Sequence, residues 1–403
     1  MTAQQLLIPV RANWTRPVRQ TYEFRTDPME AQTGHETRRR YRSTPRVALE
    51  FDAMLVRTPF RNLERYWMNR IDELGYVGNP VEFVTTLSAL NAGDDDMAVD
   101  DIPYWLENDA FVIIGYGDYM ELFEVAGIIA PNVTMKVIST NDWPAGSRLY
   151  KAEKVRVDRA QQSFSMLTRA TAVVPMKLRV DPVSTILPTV GAVGSTFDSR
   201  ELFEKRPNLA DEIDLEITSG LESVDYGFGT VATFSPKLIV SRDYRATFVG
   251  RTQVEVQETV DFFRRMYGRQ KEFYAPTGLA DLLPISNLTV GTAVLTVAGT
   301  LDYEMMNDTT VANSSLVNRA VWLTLRDGTT IQKKINSVTT SGGNTRFNMT
   351  TNWSSTITPA QIAYVSYLPL CRFGTDMLEV EWLTASVAQY DLVFHTLEAL
   401  DAE

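Results

Sequence analysis

The sequence predicts a mainly β protein with a few α-helices, arranged as two tandem copies of a sheet-plus-helix core that each carry a small β-domain. Three observations predict it. Apolar and polar residues alternate at period two along much of the chain. Only two segments carry clear helical spacing. A series of short matches recurs in the same order in both halves.

The repeat opens with Arg11-Ala-Asn-Trp14, echoed by Arg206-Pro-Asn-Leu209, and Gly34 is echoed at the same separation by Gly229. Val47, Leu49 and Phe51 then match Tyr244, Ala246 and Phe248 as the inward face of a strand. A Thr-initiated helix follows each strand. In the first, Thr58 is placed to cap, Pro59 opens the helix, and Phe60, Leu63, Tyr66/Trp67, Ile71 and Leu74 form an apolar stripe stopping at Gly75. In the second, Thr252 and Glu255 read as a capping box, followed by Val256, Val260, Phe263 and Tyr267, with Gly268 as a left-handed stop. Glu82-Phe83 and Glu272-Phe273 lead into Thr/Asn/Gly-rich β regions.

Within those regions, strands are expected at Phe111–Ile114, Thr134–Ile138, Leu288–Val297 and Ala320–Leu325, with a hairpin turn at Asp327-Gly328. Asn141-Asp-Trp143 is matched by Asn352-Trp353, and Met166–Ala172 by Met377–Ala385. The expected boundaries are a first repeat at 1–182 (core 1–83 and 151–182, β-domain 84–150) and a linker at 183–199. The second repeat follows at 200–403 (core 200–276 and 366–403, β-domain 277–365).

Composition narrows the function classes. The 403 residues carry 50 acidic and 39 basic side chains, a net charge of −11, which argues against a general nucleic-acid binder. The one cysteine, Cys371, excludes an internal disulfide, and with only two histidines a zinc-type set is nearly excluded. No signal peptide or membrane span is expected, and no catalytic, cofactor or metal residues are assigned. The acidic stretch Asp94–Asp101 lacks calcium-loop spacing and reads as a solvated turn. Tyr104-Trp105, Trp143 and Trp353 have the chemistry to stack on sugars, although Trp143 and Trp353 read first as packing residues.

The segment Gly34-His-Glu-Thr-Arg-Arg-Arg-Tyr-Arg-Ser-Thr-Pro-Arg46, followed by a strand, a helix and a Gly-x-x-x-x-Phe step, resembles the distal tail and tail-tip (baseplate hub) adaptor proteins of long-tailed bacteriophages and gene-transfer particles. Ile8–Trp14 and Phe262–Phe273 are similar to that family's opening and its helix-to-strand passage. The resemblance implies a split β-barrel crossed by a helix, and a structural virion protein that forms a ring at the tail tip. It implies no enzyme activity and no cofactor. The implied partners are the tail tube protein, hub and fibre proteins, with assembly in the host cytoplasm. DNA only passes through the lumen, which an acidic chain suits. Glu36, Arg38 and Arg46 are expected to be ring-interface or intradomain ion-pair residues. Because tubes of this family are six-fold and hubs three-fold, a doubled chain is expected to form a trimer, with a hexamer as the alternative. A carbohydrate- or receptor-binding tail module is the second reading, and a polysaccharide-degrading enzyme the third.

Overall fold

The structure is a computed structural model that describes residues 7–30, 36–70, 74–117, 119–158, 163–183, 185–218, 222–227, 229, 231–234, 241–307 and 320–397. Gly34, His35 and Ile71 lie outside the described residues. The protein is mainly β, with a large sheet, a half-barrel sheet and three α-helices among the described residues: α1 (Thr58–Arg70), α2 (Gln253–Met266) and α3 (Leu301–Asn307).

Both repeats share one sheet. From its edge the order is Asp214–Thr218, Ser241–Gly250, Ala388–Thr396, Met377–Trp382, Val18–Glu23, Arg46–Val56, Thr171–Val180 and Arg148–Val157. The first four strands belong to the second repeat and the last four to the first. A single hydrophobic cluster runs through both cores, from Ile8, Leu49 and Leu178 to Phe263, Phe373 and Phe394, while each β-domain has a cluster of its own.

The backbone pairing shows the duplication bond by bond. Asn13 N donates to Asp52 O at 2.9 Å, and Asn208 N to Thr247 O at 2.7 Å. Leu7 bridges Tyr76 as Leu202 bridges Tyr274, both parallel. Val155 pairs with Gly75 and Val180, and Cys371 pairs with Phe273 and Thr396. In the β-domains Met97 pairs with Val133, and Leu295 with Phe347. The domain strands also follow one order: Asp96–Ala98, Asn132–Met135, Tyr119–Ile129, Phe111–Tyr116 and Arg148–Val157 in the first; Val294–Val297, Asn344–Met349, Thr330–Ser341, Ala320–Leu325 and Ile362–Tyr367 in the second. The final strand differs. In the first repeat it runs on into the core, whereas in the second it stops at Tyr367 and resumes at Leu370. Pro369 sits in the gap, and a residue without an N–H cannot continue a central ladder.

The pairing also sets the correspondence between repeats. Leu55 faces Ala172 and Gly250 faces Ala388, so Leu49 rather than Val47 is the counterpart of Tyr244. A shift by one full alternation keeps the same face inward, so the sequence pattern does not reveal it. Leu90 bridges Trp143 as Leu288 bridges Ile357, which makes Ile357, not Trp353, the counterpart of Trp143. Gly75, not Phe83, stands where Phe273 does, since Gly75 pairs with Val155 as Phe273 pairs with Cys371.

The helices differ from expectation at their ends. α1 begins at Thr58 itself, after Arg57 at φ 50°, and Gly75 opens the strand Gly75–Thr85 instead of ending the helix. α2 keeps its Thr252 cap, whose side chain accepts from Glu255 N at 3.2 Å. Glu255 reaches back to Arg251 N at 2.8 Å, and Tyr267 and Gly268 both turn left-handed at the other end.

Identical turns close the last hairpin of each core. Thr168 Oγ1 accepts from the amides of Ala170 and Thr171 (3.2 and 3.1 Å), and Thr384 Oγ1 accepts from those of Ser386 and Val387 (3.3 and 3.1 Å). Thr168→Ala and Thr384→Ala should therefore cost similar amounts, roughly 0.5–1.5 kcal/mol each in urea unfolding. Clearly unequal costs would show that the turns have diverged in energy although not in geometry.

Candidate functional site: the junction between the repeats

The two repeats meet edge to edge. Val18–Glu23 runs antiparallel to Met377–Trp382, from Val18 opposite Trp382 to Glu23 opposite Met377. Alternation decides what each face does. Val18, Gln20 and Tyr22 point inward against Trp382, Val380 and Leu378, all buried. Trp382 Nε1 donates to Gln20 Oε1 at 3.3 Å, which satisfies the polar atoms that burial would otherwise strand. On the outer face Arg19 lies between Glu379 (3.2 Å) and Glu381 (2.6 Å), where solvent screening keeps the pairs weak. α2 adds a further tie, since Gln253 Nε2 donates both to Val81 O of the first repeat and to Ala385 O of the second, at 2.8 and 2.9 Å.

Beyond this strand the chain forms a hairpin, Thr26–Glu30 with Glu36–Arg40, and this hairpin reaches across to the second core. The structure thereby places Glu36 and Arg38 at the contact between repeats. Arg372 grips Glu36 with two bonds, Nε to Oε2 at 2.8 Å and Nη2 to Oε1 at 2.7 Å. Arg38 lies 3.5 Å from both Glu36 and Glu272, and its Nη1 donates to Gln270 O at 2.9 Å. Arg200 Nε completes the cluster by donating to Glu272 at 2.7 Å. The Glu36 and Arg372 side chains are only 6% and 5% exposed. Burial raises the Glu36 carboxyl, but the bonds and charge of Arg372, with Arg38 beside it, outweigh that and hold it below the usual glutamate range. Arg46 is exposed at the start of its strand, registered against Glu23 and outside the cluster.

Asp376 locks the same seam. Its Oδ1 accepts from Arg269 N at 2.9 Å, its Oδ2 accepts from Thr26 N, and its carbonyl accepts from Phe24 N at 2.8 Å. Phe24 packs on Phe263 and Tyr267, and Arg40 lies 4.0 Å over the Tyr267 ring. Gly268 is required here. It adopts φ +64°, and a Cβ would stand 2.6 Å from Asp376 Oδ1 and 3.2 Å from Phe24 Cβ.

The segment between the repeats is also held down. Arg264 Nη1 donates to Pro188 O at 2.8 Å, and Gly191 N to Asp261 Oδ2 at 3.1 Å. Lys151 Nζ donates to Ile186 O at 2.7 Å while pairing with Glu82 and Glu153, both at 2.9 Å. Burial pulls the Lys151 ammonium down, and the two carboxylates more than reverse it. Burial also drives the Glu153 carboxyl up despite Lys151. This cluster borders an open cleft of about 390 Å³ lined by Tyr76, Trp105, Phe111 and Lys154. Its buried cation is spent on the two carboxylates and a backbone carbonyl, an arrangement that anchors the linker. Lys151→Met removes a charge-assisted bond worth about 1.5–3 kcal/mol, so local opening should rise roughly tenfold or more. Limited thermolysin digestion should then cut near Ile186 faster than in the unaltered chain.

Other residues singled out in the sequence fall into structural roles. Trp105, Trp143 and Trp353 are buried, which removes them as sugar-stacking platforms. In the acidic turn, Asp100 Oδ1 accepts from Thr85 N at 2.8 Å and Asp96 Oδ1 from Thr134 Oγ1 at 3.2 Å. No group of three or more His, Cys, Asp or Glu among the described residues is placed to hold a metal ion. Burial pushes the Cys371 thiol well up, and Cys371 faces Thr396 in the ladder while His395 is registered against Arg372. Among the described residues no helix is long and apolar enough to cross a membrane. Sequence reasoning missed Arg372, Gln270, Glu272 and Asp376. Only Arg372 left a signal, as an arginine inside the otherwise apolar run Leu368–Phe373. No protein-family model matches the chain, and no curated protein matches it.

Proposed function

We propose that this chain is a structural ring subunit of a phage-type distal tail or baseplate, connecting a tail tube to a hub or fibres. The supporting observation is the junction itself: one unit, present twice, joined side by side through strand edges and a hairpin with buried ion pairs. Repetition of that relation around an axis builds a ring. Three chains would present six similar units on one side, while the diverged repeats offer three-fold differences on the other. The work of such a protein is geometric, and the side chains described above hold shape. The acidic balance suits a lumen that DNA traverses without sticking.

The test is location. Antibodies against the purified protein should decorate the distal end of tails in lysates of cells that carry its gene, viewed by immunogold electron microscopy. Label on the capsid, on the host envelope or on no particle would refute the reading.

A further inference from the structure

The geometry points to a head-to-tail interface with a second copy of this chain, in which the strand Asp214–Thr218 of one molecule pairs antiparallel with Ser163–Met166 of the next. It rests on the ring reading for its purpose but on the internal junction for its geometry.

The bond-by-bond correspondence identifies both strands. Arg19 pairs with Glu50 as Asp214 pairs with Arg245, so Asp214–Thr218 occupies in the second repeat the place of Val18–Glu23 in the first. Met166 pairs with Ala172 as Trp382 pairs with Ala388, so Ser165-Met166 occupies the place of Glu381-Trp382. Inside the chain, these two kinds of edge meet. Among the described residues each kind is left over once, at Asp214–Thr218 and at Ser165-Met166.

Burial records the difference. Val18, Gln20 and Tyr22 are 0%, 7% and 6% exposed, because Met377–Trp382 covers them. Their counterparts carry apolar side chains at an uncovered edge: Leu215 and Ile217 are 44% and 58% exposed, and the whole strand is open. The other edge matches it, with Met166 51% and Leu167 62% exposed. An open edge strand with an apolar face is a pairing template. Leu215 and Ile217 form that face, and Asp214 and Glu216 lie on the other. Here the complementary edge sits on the same molecule: Asp214–Thr218 ends the strand path, Ser165-Met166 branches off it at Thr171–Val180, and the junction already described lies between them.

Transfer of the internal register places Ile213 opposite Met166, Asp214 opposite Ser165 and Leu215 opposite Phe164 of the neighbouring molecule. Asp214 stands where Arg19 does, while Ser163 and Ser165 stand where Glu379 and Glu381 do, so the ion pairs of the internal junction have no counterpart in this register. The interface between chains is therefore more apolar and less salt-sensitive than the one within a chain. The second hairpin, Glu222–Asp225 with Val231–Phe234, occupies the place of the Glu36–Arg38 hairpin. Val231 and Thr233 replace Glu36 and Arg38, and Arg156 replaces Arg372 and is exposed. The buried ion pair is thus kept for the permanent contact within the chain, and the contact between chains lacks it. Because donor and acceptor edges differ, the contact is heterologous and extends until it closes.

Disulfide trapping tests this. In the full chain carrying Asp214→Cys and Ser165→Cys, mild oxidation should produce covalent multimers on non-reducing gels, ending in a closed species. Each variant with only one of the two changes, the buried Cys371 being kept throughout, should give none beyond a dimer. Leu215→Asp with Ile217→Asp alters residues exposed in the isolated chain, so its melting should stay close to that of the unaltered subunit while multimers disappear in light scattering. Absence of cross-linking in a multimeric sample, or multimers that survive the double aspartate change, would overturn the interface. Multimers that cross-link as expected but label no tail would sink the functional reading and leave the interface standing.

Discussion

Arg372→Met should destabilise the chain by about 3–5 kcal/mol at neutral pH, the cost of leaving a buried charge without its partner. Glu36 would remain under the hairpin with its two strongest donors gone, and Arg38, 3.5 Å away, is not placed to replace them. Both cores share one sheet and one hydrophobic cluster, so a seam defect should lower the midpoint of a single transition rather than split it. The pH dependence has a definite sign. Glu36 is more acidic folded than unfolded, so its contribution is complete above its unfolded value of about 4.3 and drains away as pH falls through the lower folded value. The stability gap between Arg372→Met and the unaltered chain should accordingly narrow in strongly acidic urea titrations. A gap of the same size at pH 7 and in strong acid would mean that packing, not charge pairing, sets the cost.

Phe373→Ala should cost about 3–5 kcal/mol, the range for emptying a buried aromatic site. Phe373 is 1% exposed and touches Phe263, Phe273 and Phe394 with ring centroids 5.1, 4.8 and 5.9 Å apart. The same positions in the first repeat hold smaller side chains. Ile8 stands for Phe203, Ala53 for Phe248, Gly75 for Phe273, Val157 for Phe373 and Leu178 for Phe394. One backbone plan thus supports an aliphatic core and an aromatic one. Val157→Ala removes fewer atoms and should cost clearly less than Phe373→Ala. Chemical denaturation gives both values, provided the slope with denaturant is unchanged. Equal costs would show that the aromatic cluster adds nothing beyond its backbone frame.

What the sequence made legible was local. The alternation of Val47, Leu49, Phe51, Ala53 and Leu55, the Thr252 cap and the Asp327-Gly328 turn all depend on residues close in the chain, and the structure has each of them. Residues missed on α2 show the limit of periodicity. Phe262, Asp261 and Thr259 are buried as well as the expected stripe, because the linker covers a second face and Tyr390 hydroxyl bonds Thr259 at 2.8 Å. Register was illegible for the reason alternation itself supplies: a shift of one full period preserves burial. The seam was least legible of all, since Val18–Glu23 finds its partner at Met377–Trp382, almost the full chain away, and no local pattern encodes that choice. Glu36 and Arg38 were expected at a ring interface or in an intradomain ion pair, and the partners they have, Arg372 and Glu272, come from the other repeat.

Native mass spectrometry of the full chain at neutral pH tests the central claim most directly. Head-to-tail pairing of a doubled unit gives a closed multiple of the 45.4 kDa chain, and the expected species contains three chains. A six-chain species would keep the ring and refute the three-fold arrangement. A 45.4 kDa monomer at concentrations up to tens of micromolar would contradict the claim that the repeat exists to build a ring.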